Sequence, residues 1–151
     1  MSQSLAKILI HAVFSTKERH SFLRDAVLRT ETHSFLGGIL GKLGCPPIIV
    51  GGAEDHVHLL FALGRTCAVS DVMKETKRVS SVWIKSRNVT LLDFAWQSGF
   101  GAFSIGYSQL NSVRAYIARQ ESHHRRVSFQ DEFRKMLTNY KVAFDERYVW
   151  D

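Results

Sequence analysis

Asp55-His56-Val57-His58-Leu59-Leu60 alternates at first and then runs apolar through Phe61, the pattern of a β-strand with one buried back. Successive strand side chains point to opposite faces, so His56 and His58 share one face while Val57, Leu59 and Phe61 take the other. Neighbours on one strand face stand about 6.6 Å apart along the backbone, and imidazole nitrogens bind divalent ions at about 2.0–2.1 Å. Both rings can therefore converge on one ion. Immediately upstream, Ile48-Ile49-Val50 followed by Gly51-Gly52 reads as a partner strand and turn, so the two segments form a hairpin.

Moving outward, residues 5–16 read as a strand rich in Ile8, Leu9, Ile10, Val13 and Phe14; its nearly continuous hydrophobicity suits a central position. Residues from about 24 to 43 place Ala26, Val27, Phe35, Leu36, Ile39 and Leu40 at helical spacing and end at Gly44 and Pro46-Pro47. A second helix, capped by Ser70 or Asp71, runs to about Arg87, with Val72, Met73, Thr76, Val79, Trp83 and Ile84 on its buried stripe. Its other side carries Lys74, Lys77, Arg78, Lys85 and Arg87, a candidate phosphate-facing surface. Residues 94–106, aromatic and punctuated by glycine, read as a fourth, bent strand. Helices follow over residues 108–124 and 129–140. The order βαββαβ plus two helices predicts an α+β, ferredoxin-like split βαβ (RRM-like) fold, a four-stranded antiparallel sheet with helices on one face and C-terminal helices beyond it.

The 151 residues, 45% hydrophobic and 23% charged, fit a single domain spanning 1–151 that needs neither disulfide nor structural metal for its core. Cys45 and Cys67 lack knuckle or redox spacing and read as reduced thiols; with no secretory leader pattern, a cytoplasmic protein is expected. The apolar run from Ile8 to Phe14 is interrupted by His11 and is too short to span a bilayer, so no membrane partner is expected. A net charge of +6 favours a polyanionic partner.

Two imidazoles seldom suffice for a metal, and Tyr116-Ile117-Ala118-Arg119-Gln120 offers more, because residues four apart share a helix face. A phenol with its ordinary pKa near 10 is a weak nucleophile and needs a neighbouring cation or a polarised target. His-x-His on a strand is nevertheless more often a plain pair of half-buried or surface histidines, and a helical tyrosine is more often core packing. On spacing alone the chain reads as a basic ferredoxin-like domain with a potential metal site.

Taken together, Glu54 to Leu60, His11 to Lys17, Trp96 to Ser104 and Tyr116 through Gln120 make the sequence resemble the single-tyrosine HUH transposases of small insertion sequences, the insertion-sequence-200-like group. The letters denote histidine, hydrophobe, histidine: here His56, Val57 and His58. The resemblance implies His56, His58 and Gln120 as ligands of Mg²⁺ or Mn²⁺ and Tyr116 as nucleophile. It implies cleavage and rejoining of single-stranded DNA through a 5′-phosphotyrosine link, recognition of hairpins at element ends, and a homodimer in which the tyrosine acts in cis or in trans. A host-adapted nuclease of repeated palindromes would use the same chemistry. A non-catalytic module binding single strands through Phe100, Phe103 and the basic helix is the alternative from another class. His123 and His124 are expected as surface residues near a helix end.

Overall fold

The computed structural model describes residues 2–151. Strands β1 (Leu9–Ser15), β2 (Pro47–Gly52), β3 (His56–Ala62) and β4 (Gly101–Ile105) are joined by α1 (Ala26–Lys42) and α2 (Val69–Arg87) in the order βαββαβ; α3 (Leu110–Ala118), α4 (Gln120–His123) and α5 (Phe129–Asn139) follow. The sheet order is β2-β3-β1-β4 with every pairing antiparallel, which is the expected ferredoxin-like α+β arrangement. β1 is central and buried at all seven positions, as its hydrophobicity requires.

Strand alternation divides the core in two. On one face Ile10, Ala12 and Phe14 of β1 and Val57, Leu59 and Phe61 of β3 pack against Leu36 and Leu40 of α1 and Val72, Met73 and Ile84 of α2. Phe94 and Trp96 close this core, Trp96 meeting Phe14 edge-on with centroids 4.9 Å apart. The opposite face carries His11, His56 and His58. Its flanks are apolar: Leu9, Leu60 and Ile105 meet Ile117 of α3, while Val13 and Phe103 meet Phe129, Phe133 and Leu137 of α5. The C-terminal helices therefore cover the second face and enclose its three imidazoles.

Several boundaries differ from expectation. The first strand starts at Leu9 rather than Leu5, because the ladder ends where Leu9 pairs with Ala62 and Ile105; Leu5 stays exposed. α2 begins at Val69 with Ala68 as its N-cap, ahead of Ser70 and Asp71, and Val69 packs against the core. Its buried stripe substitutes Ser80 for Val79, and Trp83 is half-buried, stacked on Phe35 at 4.4 Å. In α1 the polar Arg29 and Thr32 are buried while Val27 is exposed. The fourth strand shrinks to Gly101–Ile105 because Phe94 and Trp96 turn into the core and the chain between them and Gly101 is held by side chains. The helix expected over 108–124 breaks at Arg119 (φ −102°, ψ 17°), separating α3 from α4.

Two glycines let helices sit close to the sheet. A Cβ on Gly101 would lie 2.4 Å from the Phe133 ring, and one on Gly51 would lie 2.8 Å from both Ile117 Cγ2 and the Ile117 carbonyl oxygen. Gly51 is paired with His58, so the same contact sets the height of α3 above the imidazoles. Gly51→Ala is expected to destabilise the protein by about 1–3 kcal/mol through overpacking, measured as a fall in Tm.

Candidate metal centre and tyrosine site

The strand period delivers His56 and His58 to one face as expected, with both side chains fully enclosed. Asp55 fixes the first ring: its carboxylate lies 2.8 Å from His56 Nδ1, which donates to it. In neutral His56 this leaves Nε2 as a bare lone pair. That lone pair faces Gln120 Oε1 at 3.0 Å and Glu132 Oε1 at 3.5 Å, both acceptors, because the Gln120 amide nitrogen is committed to Glu132 Oε2 at 3.0 Å. With no proton on Nε2, three acceptor atoms aimed at one point suit a cation.

His58 is anchored from its other side. His11 Nε2 lies 2.8 Å from His58 Nδ1, and His58 Nε2 lies 3.0 Å from Glu132 Oε1. Both contacts are satisfied by neutral rings when His11 donates to Nδ1 and His58 donates from Nε2. Burial first, and then the charge of neighbouring histidines, lowers His58 to about 4 and His11 to about 3. Neutral imidazole is the ligating form, and ligation through His58 Nε2 requires its other tautomer, with Nδ1–H donating to His11 Nε2.

Glu132, from the first turn of α5, sits at the centre of the cluster with its side chain 2% exposed. Its oxygens accept from His58, from His124 at 3.0 Å, from Gln120 and from the Tyr116 hydroxyl. Burial alone would raise its pKa, but hydrogen bonds from His124 and His58 and the nearby imidazoles outweigh burial and hold the carboxyl well below the usual range. Ligand atoms of His56, His58, His124 and Glu132 all lie within 4.8 Å of one another. Three imidazole nitrogens and one carboxylate form a donor set that fits a divalent ion.

Tyr116 reaches this cluster from α3. Its ring meets His58 edge-on with centroids 5.8 Å apart, and its hydroxyl donates to Glu132 Oε2. Burial, then the hydrogen bond and charge of Glu132, push the phenol pKa up, so in this state Tyr116 is a protonated donor. Despite the break at Arg119, Tyr116 and Gln120 keep a common face, and the phenol, both imidazoles and the carboxamide meet within one chain.

The expectation for His123 and His124 is corrected. His124 is a member of the cluster with its side chain 9% exposed, and His123 Nε2 lies 3.3 Å from Glu132 Oε2. The chain break at Arg119 and the turn after His123 fold both rings inward. Glu132 went unrecognised, although it occupies the buried stripe of α5 with Phe129, Phe133 and Leu137, where an apolar residue is the norm. His33, on α1, is a further neighbour: its Nε2 is enclosed without a partner, and burial, followed by the nearby Arg29 charge, lowers it to about 4.

Of the five α2 cations expected to face phosphate, three have partners within the protein. Arg78 is paired with Glu75 on its own helix and Arg87 with Glu31 of α1. Lys77 is largely buried, donating to the carbonyls of Gln97 (2.9 Å), Ser98 (3.3 Å) and Gly99. Only Lys74 and Lys85 are exposed and absent from ion pairs among the described residues.

Three histidines held neutral make acid the weak point of the metal-free protein. The unfolded chain takes up their protons near pH 6.5, whereas the folded chain resists until about pH 4 for His33 and His58 and about 3 for His11. Their contribution to stability is thus full above pH 6.5 and drains away as pH falls through that window. Tm of the metal-free protein is expected to fall steeply below pH 6.5; a Tm flat down to pH 4 contradicts this.

The sheet thus presents paired imidazoles to a helix-borne phenol. Residues 4–120 match the family model described as Transposase IS200 like, and the chain belongs to that family. No curated protein matches. Among solved structures, a candidate transposase from Deinococcus radiodurans R1 is 21% identical with a TM-score of 0.61, over 80% of this chain and 98% of its own. A REP-associated tyrosine transposase bound to a REP hairpin is 15% identical with a TM-score of 0.58, over 96% of this chain and 93% of its own. At these identities the likeness is one of fold. No described helix is long and apolar enough to cross a membrane.

Proposed function

We propose that the chain is a single-tyrosine transposase that cleaves and rejoins single-stranded DNA at the His56–His58–Tyr116 site. The observation that carries this reading is the convergence of Tyr116 Oη, both strand imidazoles and Gln120 on the Glu132 carboxylate. The Tyr116 oxygen attacks a phosphodiester, its proton leaving as the bond to phosphorus forms; the displaced 3′-oxygen becomes a free hydroxyl, and the 5′-phosphate stays on tyrosine. A 3′-hydroxyl from another strand reverses the step, so joining needs no nucleotide cofactor.

His56 and His58 would hold the divalent ion, with Gln120, Glu132 and His124 completing its protein ligands. When bound, the ion withdraws charge from the phosphate and offsets the burial that keeps the phenol protonated. Asp55 and His11 orient the two strand rings. Of Mg²⁺ and Mn²⁺, three imidazoles favour Mn²⁺, because Mg²⁺ prefers oxygen donors.

Hairpin DNA is the proposed substrate, supported by the hairpin bound to the REP-associated neighbour, whose likeness covers 96% of this chain and so extends past the end of the family match at Gln120. Lys74 and Lys85, unpaired among the described residues, and the exposed Arg78, which also pairs with Glu75, are the α2 cations proposed to meet its phosphates; Lys77 and Arg87 are engaged within the protein. Within one chain Tyr116 already stands beside the paired imidazoles, an arrangement compatible with action in cis, and the homodimer implied by the family resemblance would admit action in trans. Incubation with Mn²⁺ and labelled hairpin DNA bearing single-stranded arms is expected to give a protein–DNA adduct that survives denaturation and disappears with chelator. Binding without any adduct, across hairpins taken from the gene's flanks, would overturn the enzymatic reading in favour of a non-catalytic single-strand binder.

A further inference from the structure

A cleft of about 500 Å³ lies between α2 and residues 95–100, apart from the cluster of imidazoles. Phe100, 37% exposed, supplies an aromatic wall, and Met73 and Trp96, both nearly enclosed, give it an apolar floor. Lys74, Lys77 and Arg78 are the charged residues lining it, and no carboxylate does. An apolar slot with Lys74, unpaired among the described residues, at its rim, and Arg78 beside it although also paired with Glu75, complements a ligand that joins a flat unsaturated ring to an anion.

The wall is rigid. Lys77 Nζ binds the three successive carbonyls of Gln97, Ser98 and Gly99, and stands 4.9 Å from the centroid of Phe14 and 5.7 Å from that of Phe100. A buried ammonium thus fixes the strap that presents Phe100, and burial lowers its pKa to about 8, leaving it charged at neutral pH. An aromatic ring held in place loses little freedom when a second ring stacks on it.

The cleft adjoins the active end of the sheet. Gln97, which lines it, accepts the Ser15 N–H through Oε1 at 2.8 Å and donates its own backbone N–H to the Ser15 carbonyl at 2.9 Å. Ser15 is the β1 residue paired with His56. The cleft lies on the α2 side of the sheet, opposite the imidazoles, so a single strand leaving the cluster would reach it by rounding the end of β1, a path that suits an unpaired nucleotide rather than a base-paired one.

We infer that this cleft seats one unpaired nucleotide of the DNA strand, its base stacked on Phe100 and its phosphate beside Lys74 and Arg78. The inference rests on the single-stranded-DNA reading above and adds the place where the strand is gripped. Stacking on a ring is tolerant of base identity, so the seat contributes affinity more than sequence choice.

The test uses the full chain carrying Tyr116→Phe, so that binding is read without cleavage, and two fluorescent probes: oligothymidylate and an abasic oligomer of equal length. Phe100→Ala is expected to weaken oligothymidylate binding roughly ten-fold and leave the abasic probe unchanged. Phe100→Tyr restores the loss. Lys74→Ala weakens both probes and lowers the salt slope by about one. Equal effects of Phe100→Ala on both probes, or none on either in protein of unchanged Tm, would overturn the seat while the transposase reading stands. Failure of every protein, the Tyr116→Phe parent included, to bind either probe would sink both.

Discussion

Tyr116→Phe is expected to eliminate the covalent protein–DNA adduct, a loss on the order of 10⁴-fold or more in strand cleavage, with DNA affinity little changed. One oxygen is deleted. The ring stays against His58 and His123, and Glu132 Oε2 keeps Gln120 at 3.0 Å and His123 at 3.3 Å, so the cluster retains its shape. No other phenol can substitute from its present position: Tyr107 and Tyr148 are 71% and 63% exposed and make no contact with the imidazoles, and Tyr140 is stacked on Phe103. Adduct is read on a denaturing gel and affinity by anisotropy with the same hairpin. An adduct that persists in the variant would move the nucleophile elsewhere and with it the mechanism. Loss of binding together with the adduct would instead make Tyr116 a packing residue.

What the sequence made legible follows from the range of each physical signal. The period of two along residues 56–61 is local, and it placed His56 and His58 on one face and Val57, Leu59 and Phe61 on the other without reference to anything distant. The helical spacing from Tyr116 to Gln120 is nearly as local and survived the break at Arg119, where the Arg119 N–H still bonds the Tyr116 carbonyl at 3.2 Å in one tight turn. Glu132 and His124 depend on how α4 and α5 fold back over the sheet, a matter of long-range packing by Phe129, Phe133 and Ile117 that no periodicity contains. A charge on the apolar stripe of α5 was the available clue. For the α2 cations, a count of Lys and Arg on a helix face says nothing about Glu75, Glu31 or the carbonyls of residues 97–99 that engage three of them.

Glu132→Ala is the change that tests how the cluster is held together. The carboxylate has Tyr116, His58, Gln120 and His124 around it in an enclosed space, so its removal strands several buried polar groups at once. Breaking such a buried set costs about 3–5 kcal/mol, which for a chain of this size lowers Tm by roughly 10 °C. Loss of a direct ligand should also weaken Mn²⁺ binding by more than the roughly 10- to 100-fold that removing an outer-shell partner costs. The two effects separate cleanly when Tm is measured with and without Mn²⁺. If Glu132 ligates the ion, Mn²⁺ raises Tm of the parent protein more than that of the variant, because binding to the folded state alone stabilises in proportion to affinity. If the carboxylate competes for the imidazoles instead, its removal frees them and Mn²⁺ raises Tm of the variant more. In that case the helix bearing Glu132 has to withdraw before the metal centre can form, and His56, His58 and Gln120 are left as its protein ligands.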